Sequence, residues 1–380
     1  MSGEWRVPFN RPSVVGAEAE YMARSVATGH ISGDGPFTRS CHSLLESSLG
    51  VHRALLTTSC THALEMCAVL LDIRPGDEVI LPSFTFVSTA NAFVLHGARP
   101  VFADVRPDTL NLDERRLTER ISPRTRAIVL VHYAGVGCEM DAIVPIAEER
   151  GIPLVEDNAH GLFATYRGRF LGTFGRLATQ SFHETKNFSC GEGGALLVND
   201  PALVSRAEII REKGTNRSRF FRGEVDKYTW VDVGSSWLPS DLLAAFLLAQ
   251  LEQREAVQAA RHRTWSLYAT ELRGWAGREG VTLPTVPASC EHPAHLFHLL
   301  LPDLRARTAF LAHLKSRGIL ATFHYQPLHL SEMGARFGGR RGDCPITEDV
   351  SDRLVRLPLF ASMDDAAREA VISAALEFHA

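Results

Sequence analysis

The chain has 380 residues, of which 45% are hydrophobic and 22% charged. This composition is typical of a folded globular protein, and it excludes disordered, collagen-like and coiled-coil chains. The formal net charge of −4 gives no sign of a nucleic-acid or anionic-membrane partner. The longest dense apolar stretch, residues 242–251, is far shorter than the ~20 residues of a membrane span, and residues 1–10 hold no apolar signal core.

The cysteine pattern indicates a reducing compartment. Seven cysteines are scattered over the chain, and none forms a Cys-x-x-Cys pair. An odd, scattered set in a long chain does not predict a disulfide framework, and free cysteines are usually small buried side chains. We therefore expect a cytoplasmic protein without structural disulfides.

The first half of the chain alternates between short apolar runs and helical patterns. Apolar runs predict strands at residues 54–56, 78–81, 99–103, 126–132, 152–155, 178–182 and 195–198. One helical pattern ends at residue 71, and others cover residues 86–95, 113–120, 140–150 and 202–213. Such strand–helix–strand repeats predict an α/β fold with a mostly parallel central sheet that is covered on both faces.

The second half has a different organisation. Residues 214–228 are predicted as a polar loop, residues 240–272 as a long helical stretch and residues 274–293 as a loop. A smaller α/β segment follows, with strands near 295–301 and 320–325 and helices near 305–317 and 364–377. We place a boundary near residue 250, so that residues 1–250 form a large domain and residues 251–380 a small C-terminal one.

Several common motifs are absent from the sequence. It contains no Gly-x-Gly-x-x-Gly, no Walker A loop and no Gly-x-Ser-x-Gly elbow. His292, His295 and His298 recur at every third position, but a strand places such residues on alternate faces, and no acid or cysteine completes a ligand set. The sequence therefore predicts no metal site.

Polar residues follow several of the predicted strands. Asp157 ends one strand, and strand alternation points Glu156 the opposite way. Lys186 follows a later strand, in the segment Ser-Phe-His-Glu-Thr-Lys-Asn of residues 181–187. A hydroxyl-rich turn at residues 57–62 opens a helix, and Phe84 follows another strand end. Taken alone, each feature has an ordinary structural explanation. Asp157 could be a salt-bridge partner, Lys186 a solvated lysine, the turn a helix cap and Phe84 a core aromatic.

Together, these residues supply what pyridoxal phosphate requires. That cofactor needs an amine for its aldehyde and a carboxylate that keeps the pyridine nitrogen protonated. Its phosphate suits a helix N-terminus, and its ring profits from an aromatic face. Ligands of open α/β sheets bind outside the carboxyl ends of the strands, where all four features are predicted.

Longer strings carry a family resemblance. They are residues 181–187, 208–218, 225–230 and 323–325, and the likeness extends from residue 8 to residue 360. The chain resembles the DegT/DnrJ/EryC1/StrS sugar aminotransferases, which are pyridoxal phosphate enzymes of fold type I. The resemblance implies a large domain with a mostly parallel central sheet and a smaller C-terminal α/β domain.

The resemblance also implies roles for single residues. Lys186 would bind the cofactor aldehyde as a Schiff base, and Asp157 would pair with the pyridine nitrogen. The other implied cofactor contacts are His160 beside the ring's phenolic oxygen, Phe84 stacked on the ring, Cys60, Thr61 and Ser181 at the phosphate, and His183 close by.

Other implied contacts involve the substrate and a second subunit. In family members an asparagine usually reaches the cofactor phosphate that is bound in the neighbouring subunit. In this chain Ser236, with a shorter side chain, occupies that position. A homodimer with shared active sites is therefore implied. Tyr325 and His329 lie in a stretch that the family uses near the sugar. Lys213 begins a basic loop that could neutralise a diphosphate, although such a loop is equally typical of a solvated surface.

The implied reaction is a transamination. L-Glutamate would convert pyridoxal to pyridoxamine 5'-phosphate, leaving 2-oxoglutarate, and a dTDP-4-keto-6-deoxyhexose would become the 4-amino-4,6-dideoxy sugar of galacto or gluco configuration. Related sugar dehydrases carry histidine where this chain has Lys186, which favours amino transfer. The alternatives are a non-catalytic regulatory protein on the same fold, an aminotransferase acting at another sugar carbon, and an aldolase with the same cofactor.

Overall fold

The computed structural model describes residues 5–380. Its strands are β1 (Arg53–Thr57), β2 (Glu78–Pro82), β3 (Arg99–Ala103), β4 (Thr125–Val131), β5 (Leu154–Asp157), β6 (Thr165–Tyr166), β7 (Arg169–Phe170), β8 (Leu177–Ser181), β9 (Gly194–Val198), β10 (Cys290–Glu291), β11 (Phe297–Leu300) and β12 (Leu354–Leu357).

Helices cover both faces of the main sheet and build much of the C-terminal part. They are α1 (Glu18–Ala27), α2 (Pro36–Leu49), α3 (Cys60–Leu70), α4 (Val87–Val94), α5 (Leu117–Arg120), α6 (Met140–Glu149), α7 (Val204–Arg211), α8 (Arg217–Phe221), α9 (Asp241–Glu252), α10 (Arg254–Glu271), α11 (Arg273–Glu279), α12 (Leu304–Ser316), α13 (Glu332–Arg336), α14 (Pro345–Arg353) and α15 (Asp365–Leu376).

The central sheet has seven strands in the order β1-β9-β8-β5-β4-β2-β3. The pairs from β8 through β5, β4 and β2 to β3 are parallel, whereas β9 runs antiparallel to both β8 and β1. The predicted α/β class with a mostly parallel central sheet is therefore confirmed. Strands β1, β2, β4, β5 and β8 all end at the same edge of the sheet.

Both faces of this sheet are buried. Along β4, Ala127 and Val129 pack into a core with helices α3 and α4, whereas Ile128 and Leu130 pack on the other side with α6. All four side chains are fully buried. Such two-sided burial explains why the strands are continuous apolar runs in the sequence.

A second core lies in the C-terminal part of the chain. Strands β11 and β12 pair antiparallel and pack against α10, α11, α12 and α15. Val7 joins this core and bridges to Ile319, far away in the sequence. The domain boundary near residue 250 remains a prediction.

Four sequence predictions for the second half require correction. Residues 320–325 form no strand, because they pair with β12 only through an isolated bridge between Thr322 and Arg356. The long helical stretch is two helices, α9 and α10, because the backbone leaves helical geometry at Gln253. The predicted loops contain α8, α11 and β10. In α11 the burial of Trp275 outweighs the low helix propensity of two glycines.

Two findings concern cysteines and the membrane. All seven cysteines are unpaired, as expected from their spacing. Between residues 5 and 380, no helix combines the length and the apolar character that crossing a membrane requires.

Candidate active site

A cavity of ≈ 470 Å³ lies at the carboxyl ends of β5 and β8, beside the first turn of α3. The predicted residues that line it are Cys60, Thr61, Asp157, His160, Ser181, His183, Lys186 and Tyr325. Further lining residues include Thr85, Phe86, Ser88, Thr89, Glu192, His295, His324 and Arg356.

Asp157 is the buried acid of this cavity. Its carboxylate accepts hydrogen bonds from the Thr89 hydroxyl at 2.7 Å and from the Ala159 backbone N–H at 3.3 Å. Burial raises the pKa of Asp157 above its usual value, and these hydrogen bonds act against that shift. A cationic ligand group beside Asp157 would stabilise the ionised carboxylate further.

Glu156 lies on the opposite side of β5, as strand alternation predicts. Its carboxylate contacts the His132 ring at 3.0 Å and accepts backbone N–H bonds at 2.7 Å from Gly172, Phe174 and Gly175. Glu156 therefore holds the loop before β8 and has no part in the cavity.

Lys186 lies in the loop after β8, and its side chain lines the cavity. Burial lowers the pKa of Lys186 from 10.5 to about 8; Arg356 acts in the same direction, whereas Asp157 opposes the shift. An amine with this pKa is partly neutral at physiological pH and can act as a nucleophile or a base.

The first turn of α3 borders the same cavity. The Ser59 hydroxyl caps the helix by accepting a hydrogen bond from the His62 N–H at 3.1 Å, and the Thr61 hydroxyl contacts that of Ser88 at 2.8 Å. Gly194 on β9 lies so close that a Cβ there would collide with the backbone of Ser59 and Cys60. Helix N-termini attract anions, so this turn with its hydroxyls suits a phosphate.

Neutral aromatic and imidazole rings form another wall. The ring of His160 stacks on that of His295, with centroids 4.3 Å apart, and the His324 ring stacks on that of Tyr325 at 3.9 Å. Burial lowers the pKa of His160, His295 and His324 well below the usual value. These histidines are therefore uncharged near neutral pH.

Phe84 does not occupy its predicted place. It is 1% exposed and packs edge-on against Tyr133 and Tyr325, whereas Phe86 is 57% exposed and lines the cavity. The physical reason is that α4 begins at Val87, so the chain turns outward only after Phe84 has entered the core. Phe86, and not Phe84, is therefore the phenylalanine that lines the cavity.

Three further predicted residues lie outside the cavity. His329 is completely buried between Ser83, at 2.6 Å, and Glu348, at 3.0 Å, so its predicted sugar contact is corrected to a structural role. Lys213 and Ser236 are exposed on the surface. Neither contributes to the cavity within this single chain.

Among the cavity residues that the sequence analysis missed are Thr89, His295 and Arg356. Thr89 is in the first turn of α4, three positions after Phe86, and this spacing on a short helix could have indicated it. Arg356 is a lone arginine in the apolar run Leu-Val-Arg-Leu, which is itself a signal. His295 carried no comparable signal.

The lowered pKa of Lys186 predicts a pH dependence for cofactor uptake. The neutral amine attacks an aldehyde, so the rate at which apoprotein combines with pyridoxal 5'-phosphate should rise about tenfold per pH unit and level off near pH 8. Stopped-flow absorbance between pH 6 and pH 10 checks this, with Nα-acetyl-lysine as the reference amine. A rate that still rises at pH 10 would contradict the lowered pKa.

Comparisons with known proteins agree with this geometry. The family described as "DegT/DnrJ/EryC1/StrS aminotransferase family" matches residues 13–376. Uncharacterized protein MJ1066 of Methanocaldococcus jannaschii is 34% identical over 338 residues, 87% of each chain. Spore coat polysaccharide biosynthesis protein SpsC of Bacillus subtilis is 32% identical over 376 residues, 97% of this chain and 96% of its own.

The fold has a solved counterpart at similar identity. The crystal structure of an aminotransferase, TlmJ from Streptoalloteichus hindustanus, superposes with a TM-score of 0.88 at 32% sequence identity and covers 97% of both chains.

Proposed function

The chain belongs to the DegT/DnrJ/EryC1/StrS aminotransferase family. On that premise we propose the donor and the acceptor of the amino group that it transfers. The donor is L-glutamate, which leaves as 2-oxoglutarate. The acceptor is a dTDP-4-keto-6-deoxyhexose, which becomes the dTDP-4-amino-4,6-dideoxyhexose of galacto or gluco configuration.

One observation carries this proposal. A half-buried amine, Lys186, a buried carboxylate, Asp157, and the N-terminal turn of α3 border the same cavity. Pyridoxal 5'-phosphate is the cofactor of this family, and it requires these three groups for its aldehyde, its pyridine nitrogen and its phosphate. The raised pKa of Asp157 fits a site that gains a cationic group on binding.

The bound cofactor supplies an electron sink for the charge left when a proton leaves carbon. Lys186 Nζ removes the α-proton of the donor, and in the second half-reaction it delivers a proton to C4 of the sugar. Asp157 stays ionised and keeps the pyridine nitrogen protonated. Cys60, Thr61 and Ser181 would hold the phosphate end, and His160 would lie beside the ring.

Phe86 covers the ring face in this proposal, which predicts different effects for two neighbouring phenylalanines. Phe86→Ala should weaken pyridoxal phosphate binding about tenfold, because a stacked aromatic contributes roughly 0.5–1.5 kcal/mol beyond its buried area. Fluorescence titration of apoprotein measures this. The matched variant Phe84→Ala should instead lower the melting temperature. Equal cofactor affinity in wild type and Phe86→Ala would contradict the assignment.

We also propose a homodimer with shared active sites. Residues 217–236 expose an unusual amount of apolar surface, including Trp230 at 77% and Phe221 at 69% exposure. Exposed apolar patches of this kind mark protein interfaces. Ser236 and Lys213 lie in or near this segment, so a second copy could bring them to the cofactor phosphate and the sugar nucleotide. Light scattering on the purified protein tests the dimer.

Turnover of defined substrates tests the function. Purified protein with pyridoxal phosphate, L-glutamate and dTDP-4-keto-6-deoxyglucose should release 2-oxoglutarate and an amino sugar whose C4 configuration NMR establishes. Amino transfer to a 3-keto sugar alone would favour the alternative carbon. No amino transfer to any keto sugar, although the cofactor is bound, would favour a regulatory protein.

A further inference from the structure

Arg356 is a charged residue of the cavity to which the proposed chemistry gives no task. It lies in β12, where its backbone N–H donates to the Thr322 carbonyl at 2.6 Å. The residue is 9% exposed, and its side chain lines the same cavity as Lys186.

The groups that the Arg356 guanidinium contacts directly are neutral. It contacts the His324 ring nitrogen, and its carbon lies 4.7 Å above the centre of the Phe9 ring. Its buried Nε has no hydrogen-bond partner, and no Asp or Glu within residues 5–380 forms an ion pair with it. Burial lowers the pKa of nearby His298 to about 3, so that histidine is neutral as well.

Other buried arginines of the chain are satisfied. Arg261 donates to the backbone carbonyls of Ala294, His295 and Leu359, and Arg211 pairs with Asp34 at 2.8 Å. A buried guanidinium is costly unless carboxylates or several carbonyl oxygens accept its N–H bonds, as they do for these two residues. Arg356 departs from this pattern at the edge of a cavity, which indicates that its anion is a ligand.

The charges of the cavity lining support an anion. Lys186 and Arg356 are its cationic side chains, and Asp157 and Glu192 are its acids. Asp157 is held by Thr89, and Glu192 is exposed at the mouth, 3.7 Å from His183. Neither acid is paired with Arg356, so the positive charge there faces the cavity uncompensated.

We propose that Arg356 binds the α-carboxylate of the amino donor. This inference rests on the proposed function, in which Lys186 removes the donor's α-proton. The α-carboxylate is bonded to that same carbon, so its anchor must lie close to Lys186. A 6-deoxyhexose carries no carboxylate, and its diphosphate is separated from C4 by the sugar ring. Arginine suits a carboxylate because its planar fork can donate two parallel hydrogen bonds.

The donor half-reaction tests the proposal. With the holoenzyme of Arg356→Gln, the second-order rate constant for L-glutamate should fall about 100-fold, the size of a lost charge-assisted hydrogen bond. Arg356→Lys should recover part of this loss. The amination of the 4-keto sugar by enzyme preloaded with pyridoxamine phosphate should stay within about threefold of wild type, because that half-reaction uses no donor carboxylate.

Two amides of glutamate identify the carboxylate. L-Isoglutamine lacks the α-carboxylate and L-glutamine lacks the γ-carboxylate. Arg356→Gln should slow L-glutamine as strongly as glutamate and should leave the already slow L-isoglutamine reaction unchanged. The opposite pattern, or a loss confined to the keto-sugar half-reaction, would overturn the α-carboxylate assignment.

Binding and stability separate a ligand anchor from a structural residue. Calorimetric titration of the Arg356→Gln holoenzyme with 2-oxoglutarate should give about 100-fold weaker binding than wild type. Its melting temperature should be equal or higher, because an unpaired buried charge is removed. Arg353→Gln, at the end of α14 and outside the cavity, is the matched control with unchanged kinetics.

The failures are distinguishable. If wild-type protein exchanges no amino group with any amino acid, the proposed function fails. If wild type does react and Arg356→Gln reacts equally fast, binds 2-oxoglutarate equally well, or melts more than about 5 °C lower, the inference about Arg356 fails alone.

Discussion

Lys186→Ala is expected to abolish turnover. The variant loses both the amine that takes up the cofactor aldehyde and the base that moves the proton, and general acid–base help alone contributes about 10²–10⁴-fold. Coupled assay of 2-oxoglutarate release measures the loss. The phosphate end of the cavity is built by α3 and β8, so the variant should still bind pyridoxamine phosphate.

Lys315→Ala is the matched control for Lys186→Ala. Lys315 is an exposed lysine of α12 that does not line the cavity, and its removal should leave the rate unchanged. Normal turnover by Lys186→Ala, with turnover by the control also intact, would remove Lys186 from the mechanism.

Asp157→Asn is expected to lower turnover by at least about 100-fold, because a neutral amide stabilises the protonated pyridine nitrogen far less than a carboxylate does. The change conserves shape, and the amide oxygen can still accept the hydrogen bond from Thr89. Steady-state kinetics with saturating cofactor measure the effect. An unchanged rate would contradict the role proposed for Asp157.

Glu156→Gln gives the contrast that isolates this effect. Glu156 is adjacent in sequence but accepts its hydrogen bonds on the other side of β5. Its replacement should lower the melting temperature, because the amide NH₂ would replace one carboxylate oxygen and face the backbone N–H donors of that oxygen, either Gly172 or Phe174 and Gly175. The chemical step should change little. If both variants lost stability and activity alike, the distinction between the two acids would be wrong.

Much of the cavity could be predicted because it follows from strand geometry. Polar residues at the ends of β5 and β8, and the hydroxyls at the start of α3, converge because parallel strands end at one sheet edge. Alternation along β5 separated Asp157 from Glu156 correctly. These features depend only on local pattern and on the order of the elements.

Other features depend on contacts between distant parts of the chain. Phe84 is drawn into the core by Tyr133 and Tyr325, which come from remote segments, and no local pattern shows these partners. His329 looked available because its partners Ser83 and Glu348 come from remote segments. Arg356 reaches the cavity only because β12, paired with β11, lies beside the strand ends of the central sheet.

The position of Val7 has a consequence for how the chain folds. Its backbone exchanges hydrogen bonds with Gly318 and Leu320, both at 3.0 Å, and its side chain belongs to the C-terminal core. The segment that holds Val7 therefore cannot dock until residues 318–320 have been synthesised. Phe9, beside the Arg356 guanidinium, shares this delay. Contacts so distant in sequence are slow to form because a long loop must close first, so the wall of the cavity around Arg356 closes only after β12 has been made.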